Sequence, residues 1–150
     1  MGLNKTLLGS TVYLDTNIFI YALEGYVEYM DILAFLFSLI DKKKLLAVTS
    51  ELTLAESLVK PMLDNNIALQ QSYKQAIQPT ESLEISPITR DILIDAAELR
   101  ATYSVQLPDA IHLATALKNR CHLFLSNDHR LKNIPSLEII GLKALSKLIS

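Results

Sequence analysis

The sequence is poor in the residues that mark secreted and thiolate-metal proteins. It has one cysteine, Cys121, among 150 residues, so an internal disulfide framework and a cysteine-rich zinc site are both excluded. A single cysteine suits a reducing compartment, and the opening residues MGLNKTLLGS lack the long apolar core of a secretion signal. We therefore expect a cytoplasmic protein.

Long apolar runs and a strong net charge are also missing. The most hydrophobic stretch, ILAFLFSLI, is too short to span a bilayer, so no membrane association is expected. The formal net charge is −2, so the chain lacks the overall cationic field that usually accompanies nucleic-acid binding. Any contact with nucleic acid must therefore be local.

Glycine and proline are sparse, at four and five residues, and they form no linker. No internal repeat or low-complexity tract is present. Half of the residues are hydrophobic, which in a chain of this length favours one compact domain with one substantial core. We therefore treat residues 1–150 as a single domain.

Apolar periodicity alternates between strand-like and helix-like segments along the chain. This alternation predicts an α/β domain with a central, mostly parallel sheet flanked by helices on both faces. The predicted strands are residues 11–14, 45–49, 83–85, 122–125 and 137–140. The predicted helices are residues 17–23, 28–41, 50–63, 67–77, 88–102 and 108–119.

Two acids directly follow predicted strands. Asp15 ends the first strand, and Asp128 follows the strand in HLFLSN. Open parallel sheets bind ligands at the carboxyl ends of their strands, so both acids lie at a favourable edge. Each also has an ordinary explanation. Asp15 can cap the helix that follows it, and Asp128 can form a turn with its neighbour Asn127.

Two further acids lie on predicted helices. On a helix through SELTLAESLVKPML, Glu56 falls on an apolar face and is expected to point inward, unless it forms a salt bridge or reaches water at an edge. That face comprises Leu52, Ala55, Val59 and Leu63. Asp109 begins the buried helix in LPDAIHLATAL, where a first-turn acid is ordinary. His112, one turn later on the same side, is expected to be a hydrogen-bonded packing residue or a ligand.

Taken together, the positions of these acids weigh against the ordinary explanations. Two strand ends, a buried helix start and an inward glutamate would place several carboxylates around one point, which a folded chain tolerates only with cations. Four stretches carry them in order: YLDTNIFIYAL, LTLAES, LPDAIHLATAL and FLSNDHRLKNIPSLEIIGL. These stretches span nearly the whole chain and resemble a PIN domain, in particular the small PIN ribonucleases that act as toxins of VapBC-type toxin–antitoxin pairs.

The resemblance implies a metal-binding active site. Its catalytic and metal-binding residues would be Asp15, Glu56, Asp109 and Asp128. Asn17 and Ser126 correspond to the family's polar supports for these carboxylates. Oxygen donors of this kind suit Mg²⁺ or Mn²⁺. One departure is Leu131, where many relatives carry an aromatic residue, and it affects local packing only.

The implied activity is metal-assisted hydrolysis of RNA phosphodiesters to 5′-phosphate and 3′-hydroxyl ends, with Glu56 as a ligand or a water-orienting base. The implied partner is a small antitoxin that presents a basic or bulky segment to the acidic pocket. A homodimer is also expected, because the apolar residues of YMDILAFLFSLI exceed one helical face. The alternative is a helix fully buried within one subunit.

Basic residues are scattered, which makes the RNA-binding surface harder to place. The candidate phosphate contacts are Lys118, Arg120, Arg130 and Lys132, which lie near the last motif in sequence. The run of lysines at 42–44 is interpreted as a solvated face.

Four other functions compete with this interpretation. A phosphatase of the type with an Asp after the first strand needs a second Asp two positions later, where Asn17 stands. A phosphotransfer receiver needs an acid pair before the end of that strand, and none is present. Intact acids at all four positions argue against a non-catalytic PIN-like binding module, and a metal titration separates that module from the enzyme. The remaining alternative is an RNA-processing nuclease without an antitoxin.

Overall fold

In the computed structural model, residues 9–149 are described. They form a five-stranded sheet with the order β3-β2-β1-β4-β5, and all four strand pairings are parallel. The strands are β1 (Thr11–Leu14), β2 (Leu46–Ser50), β3 (Leu83–Ser86), β4 (Leu123–Leu125) and β5 (Glu138–Ile140). The predicted fold class is therefore confirmed, and each predicted strand is found within two residues of its expected bounds.

Seven α-helices connect and follow the strands in the described part of the chain. They are α1 (Thr16–Glu24), α2 (Met30–Asp41), α3 (Glu51–Leu63), α4 (Ile67–Ala76), α5 (Arg90–Tyr103), α6 (Leu107–Lys118) and α7 (Leu142–Ile149). A short 3₁₀ turn, Val27–Tyr29, precedes α2 and overlaps the start of the helix predicted at residues 28–41. Helix α7 was not predicted, although Leu142, Leu145 and Leu148 recur at the three-residue spacing of one helical face.

Alternate residues of the central strand face two separate cores. Val12 and Leu14 pack into the larger core, against α1, α2 and α7. Tyr13 points to the opposite face, where its ring stacks on Phe124 at 4.9 Å between centroids and packs with Leu113 of α6. Both faces of the strand are thus buried by helices, which explains why the strands read as continuous apolar runs.

The predicted inward face of α3 is wrong. Val59 and Leu63 are 56% and 77% exposed, whereas Thr53, Ser57 and Pro61 are buried. The Thr49 hydroxyl donates to the Leu14 carbonyl at 2.7 Å, so it accepts the hydrogen bond from the Thr53 hydroxyl, also at 2.7 Å. Since the hydroxyls of Thr49 and Thr53 have partners, these small side chains can be buried and the helix can approach the sheet closely.

Two strand-to-helix junctions lie at the carboxyl edge of the sheet and have almost no connecting loop. Asp15 alone separates β1 from α1 and is the N-cap of that helix. Ser50 ends β2 and caps α3 by accepting a hydrogen bond from the Leu52 amide at 3.0 Å. Side chains at these junctions are therefore held by a strand on one side and a helix on the other.

None of the helices in the described residues is long and apolar enough to span a membrane.

The packing of α7 gives a stability prediction. Leu145 is buried in the larger core, so Leu145→Ala should lower the free energy of unfolding by about 2–5 kcal/mol, through lost burial and a residual cavity. Ser146→Ala, at the exposed neighbouring position, should change it by less than about 0.5 kcal/mol. Urea denaturation monitored by circular dichroism measures both, and equal effects would show that α7 does not pack as described.

Candidate active site

The four predicted acids come from four different elements near the carboxyl edge of the sheet. Asp15 follows β1, Glu56 lies in α3, Asp109 lies in the first turn of α6, and Asp128 follows β4. Strands β1 and β4 are neighbours, with Leu14 in register with Leu125. The residues that follow them therefore meet side by side.

Asp15 is a buried carboxylate whose oxygens are both hydrogen-bonded. Its Oδ1 accepts from the Thr16 amide at 2.8 Å, and its Oδ2 accepts from the Ser126 hydroxyl at 2.6 Å. His112 Nε2 lies 3.8 Å from Oδ1. The predicted helix-cap role of Asp15 is therefore present, and the same side chain also faces the acidic site.

Asn17 and Ser126 connect Asp15 to the loop that carries Asp128. The Asn17 amide nitrogen donates to the Ser126 hydroxyl at 3.2 Å, and the Asp128 backbone amide donates to the same oxygen at 3.1 Å. Asn17 Oδ1 accepts from the Asn127 amide at 3.3 Å. These bonds fix the loop relative to the end of β1.

Glu56 is partly exposed and is held by two side chains at one of its oxygens. Its Oε1 accepts from the Thr16 hydroxyl at 2.7 Å and lies 2.6 Å from His112 Nε2. Burial acts to raise the pKa of Glu56, but the hydrogen bonds from His112 and Thr16 outweigh it and hold that pKa below its usual value. Glu56 is therefore ionised at neutral pH.

Asp128 and Asp109 share a cation from the same chain, Arg130. The Arg130 guanidinium donates to both oxygens of Asp128, with Nη2 2.6 Å from Oδ2, and the same nitrogen lies 3.5 Å from Asp109 Oδ2. Hydrogen bonding to Arg130 lowers the pKa of Asp128. The guanidinium thus occupies the space between two of the predicted ligands.

The acids also affect one another electrostatically. Burial raises the pKa of Asp109, and the negative charges of Asp128 and Asp15 raise it further, more than Arg130 and His112 lower it. Among the described residues, however, no group of three or more His, Cys, Asp or Glu side chains is arranged closely enough to hold a metal ion. The acids are therefore close enough to interact, but hydrogen bonds and Arg130 occupy them in this conformation.

The predicted RNA-phosphate contacts are not brought together. Lys118 and Arg120 lie at the carboxyl end of α6, and Lys118 is ~14 Å along the helix axis from Asp109. Arg130 and Lys132 instead line a groove of about 480 Å³ beside Asp109. Sequence proximity grouped these four residues, but α6 separates two of them from the acids.

Sequence reasoning missed Thr16 and Tyr13 as parts of the site. Thr16 contacts Glu56, and the Tyr13 hydroxyl lies 2.6 Å from His112 Nδ1. The sequence offers one signal for them, which is that each is a polar residue within the largely apolar run TVYLDTNIFI. Their partners are distant in sequence, so only the folded chain reveals the contacts.

A parallel sheet covered on both faces, with acids at the carboxyl ends of its strands, is typical of α/β domains that bind ligands at that edge. The sequence model of the PIN domain family matches residues 12–137, and the chain belongs to this family. No curated protein sequence is significantly similar to it.

Solved structures of the same fold include chains of bacterial toxin–antitoxin complexes. VapBC2 from Rickettsia felis, bound to a promoter DNA fragment, matches with a TM-score of 0.69 at 20% identity, covering 87% of this chain and 98% of that one. A toxin–antitoxin complex from Klebsiella pneumoniae matches with a TM-score of 0.65 at 24% identity, covering 87% and 97%. Mycobacterium tuberculosis VapC20, described as a Sarcin-Ricin loop cleaving toxin, matches with a TM-score of 0.64 at 14% identity, covering 85% and 98%.

The electrostatics of Asp109 predict the sign of a stability change. Its folded pKa is raised, so the stability of the metal-free protein falls as pH rises from the unfolded pKa through the folded one. Asp109→Asn should therefore stabilise the metal-free protein at neutral pH, and the advantage should vanish at acid pH. Thermal melts in chelator at several pH values measure this.

Asp91→Asn is the matched control, because Asp91 is an exposed acid in the first turn of α5. Its loss should destabilise by about 0.3–1 kcal/mol, as expected for a charge at a helix start. If Asp109→Asn behaved in the same way, Asp109 would be a helix-start acid and not a member of the acidic group.

Proposed function

We propose that this protein is a Mg²⁺- or Mn²⁺-dependent endoribonuclease. The observation that carries the proposal is the meeting of acids from separate elements at one edge of a PIN-family sheet, where Asp15 and Asp128 raise the pKa of Asp109. A group of carboxylates that repel one another is stable only when a cation is near, and in this conformation Arg130 is that cation. Without a cation, the same charges would repel an RNA phosphate.

The donor set suits a hard divalent cation. All of the candidate ligands are carboxylates, the ligands that Mg²⁺ and Mn²⁺ prefer. Mg²⁺ keeps several waters and commonly takes only one or two protein carboxylates, so it does not require three donors already in contact. The residues that would hold it are Asp15, Glu56, Asp109 and Asp128. When bound, such an ion lowers the pKa of a water ligand and stabilises charge on phosphoryl oxygens.

The chain's own residues would bind and orient the RNA. The groove beside Asp109 is lined by the exposed ring of Tyr103, on which a base can stack, and by Gln106 and Lys132. Arg130 lies at the same edge and can pair with a phosphate once it leaves Asp128. Ser126 and Thr16 keep the Asp15 and Glu56 carboxylates in place during the reaction.

We further propose that the protein is the toxin of a type II toxin–antitoxin pair and acts as a homodimer in the cytoplasm. The shared fold with chains of VapBC complexes supports an antitoxin partner. The dimer is supported by α2, where Met30 and Phe35 are 51% and 41% exposed, so this helix is not fully buried within one subunit. An RNA-processing nuclease without an antitoxin has the same chemistry and lacks only the partner.

One observation favours a second function. Arg130 bridges Asp109 and Asp128, and the described residues form no metal-binding group of three. Both features are expected of a non-catalytic PIN-like binding module, which needs no metal ion. A calorimetric titration with Mn²⁺ separates the two functions, because only the enzyme is required to bind the ion.

Cleavage itself is the first test. Purified protein should cleave RNA in the presence of Mg²⁺ or Mn²⁺, and the cleavage should stop when excess chelator is added. Asp15→Asn should lower the rate by more than the roughly 10–100-fold that is lost when a group merely orienting a ligand is removed, because a ligand charge disappears while the shape remains. Gel analysis of a labelled RNA measures both effects, with Asp91→Asn as the control.

Cleavage undiminished by chelator would refute the metal mechanism. Near-normal cleavage by Asp15→Asn on several RNAs would show that the active site lies elsewhere.

The groove predicts which lysine contacts RNA. In an Asp15→Asn background, Lys132→Gln should weaken RNA binding and reduce the slope of log affinity against log salt by about one. Lys118→Gln removes the same charge at the far end of α6 and should leave both quantities unchanged. Fluorescence anisotropy at several salt concentrations measures the affinity and its salt dependence. If Lys118→Gln weakened binding and Lys132→Gln did not, the RNA would bind at the other end of the sheet.

A further inference from the structure

His112 is a buried polar residue that the proposed chemistry leaves without a role. It lies on α6 one turn after Asp109 and is only 1% exposed. Its ring packs edge-on against Tyr13, with centroids 5.8 Å apart. Ordinary core packing would account for the burial, but it does not account for the polar partners at both ring nitrogens.

The partners determine where the ring proton lies. Nδ1 lies 2.6 Å from the Tyr13 hydroxyl, and Nε2 lies 2.6 Å from Glu56 Oε1. An ionised carboxylate only accepts hydrogen bonds, so Nε2 must carry a proton. In the neutral ring, Nδ1 accepts a hydrogen bond from the Tyr13 hydroxyl. In the imidazolium, Nδ1–H donates a hydrogen bond to the Tyr13 hydroxyl oxygen. In both forms Nε2–H donates to Glu56.

Both donors to Glu56 converge on the same oxygen. Oε1 accepts from His112 Nε2 and from the Thr16 hydroxyl, whereas among the described residues no hydrogen bond to Oε2 is found. The glutamate side chain is 34% exposed and would otherwise sample several rotamers. The two bonds therefore select one carboxylate orientation and leave one oxygen available.

We propose that His112 is a positioning residue for Glu56: it anchors Oε1 so that Oε2 is the oxygen presented to a water or cation. The Tyr13 hydroxyl in turn orients the imidazole ring. This inference rests on the proposed function for its consequence in catalysis, but the hydrogen-bond arrangement can be tested separately.

A double-mutant cycle tests the coupling. His112→Leu keeps most of the side-chain volume and should lower kcat by about 10–100-fold with little change in KM, as loss of a ligand-orienting partner does. In a Glu56→Ala background, which removes the acceptor of that hydrogen bond, the same substitution should cost nothing further. Equal losses in both backgrounds would show a purely structural role and overturn the proposal.

Two further variants control the cycle. His112→Gln places an amide N–H near the position of Nε2–H and should recover part of the lost kcat. His122→Leu makes the same change at an exposed histidine before β4 and should have no effect in either background. Failure of His112→Gln to exceed His112→Leu, with both folded, would count against the hydrogen bond.

Readouts that do not require cleavage keep the inference distinct from the proposed function. Long-range ¹H–¹⁵N correlation spectra of the wild-type protein should show a proton on the Nε2 of His112 at neutral and alkaline pH, and a spectrum of the Nδ1–H tautomer would overturn the proposal. If wild-type protein cleaves no RNA, the proposed nuclease function fails, and the cycle is repeated on the Mn²⁺ dissociation constant. Non-additive changes there support the role of His112, whereas additive changes or no Mn²⁺ binding reject it.

Discussion

The site depends on the parallel pairing of β1 with β4. Because these strands are adjacent and in register, the Asp15 amide donates to the Leu125 carbonyl at 3.0 Å, and the residues just beyond the two strands become neighbours. Just beyond the paired backbones, the Ser126 hydroxyl donates a hydrogen bond to Asp15 Oδ2 at 2.6 Å, which links the two chain segments through side chains. Without this pairing, nothing in the sheet would hold Asp15 and Asp128 close to each other.

Burial of a carboxylate in this position is tolerated because donors are supplied locally. The start of α1 provides the Thr16 amide, and the loop after β4 provides the Ser126 hydroxyl. An ionised group in an apolar environment is costly unless it is hydrogen-bonded, and charged acceptors form the stronger bonds. Asp15 therefore serves both as a helix cap and as a member of the acidic site, and the two roles do not exclude each other.

The remaining acids are balanced in different ways. Asp128 is paired with Arg130, Glu56 is anchored by His112 and Thr16, and Asp109 has the least compensation, so its pKa is raised. This unequal distribution leaves Asp109 as the carboxylate with most to gain from an added cation. Family membership and the repulsion among these charges are independent observations, and the proposed function draws on both.

The sequence by itself determined the α/β class and the positions of the strands and of the first six helices to within two residues, and it singled out the four candidate acids, because these follow from short-range periodicity and from residue type. It did not determine the inward face of α3, since polar Thr53 can be buried only when Thr49, on another element, is its partner. Nor could it separate Lys118 from Lys132 or connect His112 to Glu56. Tertiary structure decided these points, because each depends on a distance between residues that the chain brings together, or keeps apart, only after the sheet and its helices have packed.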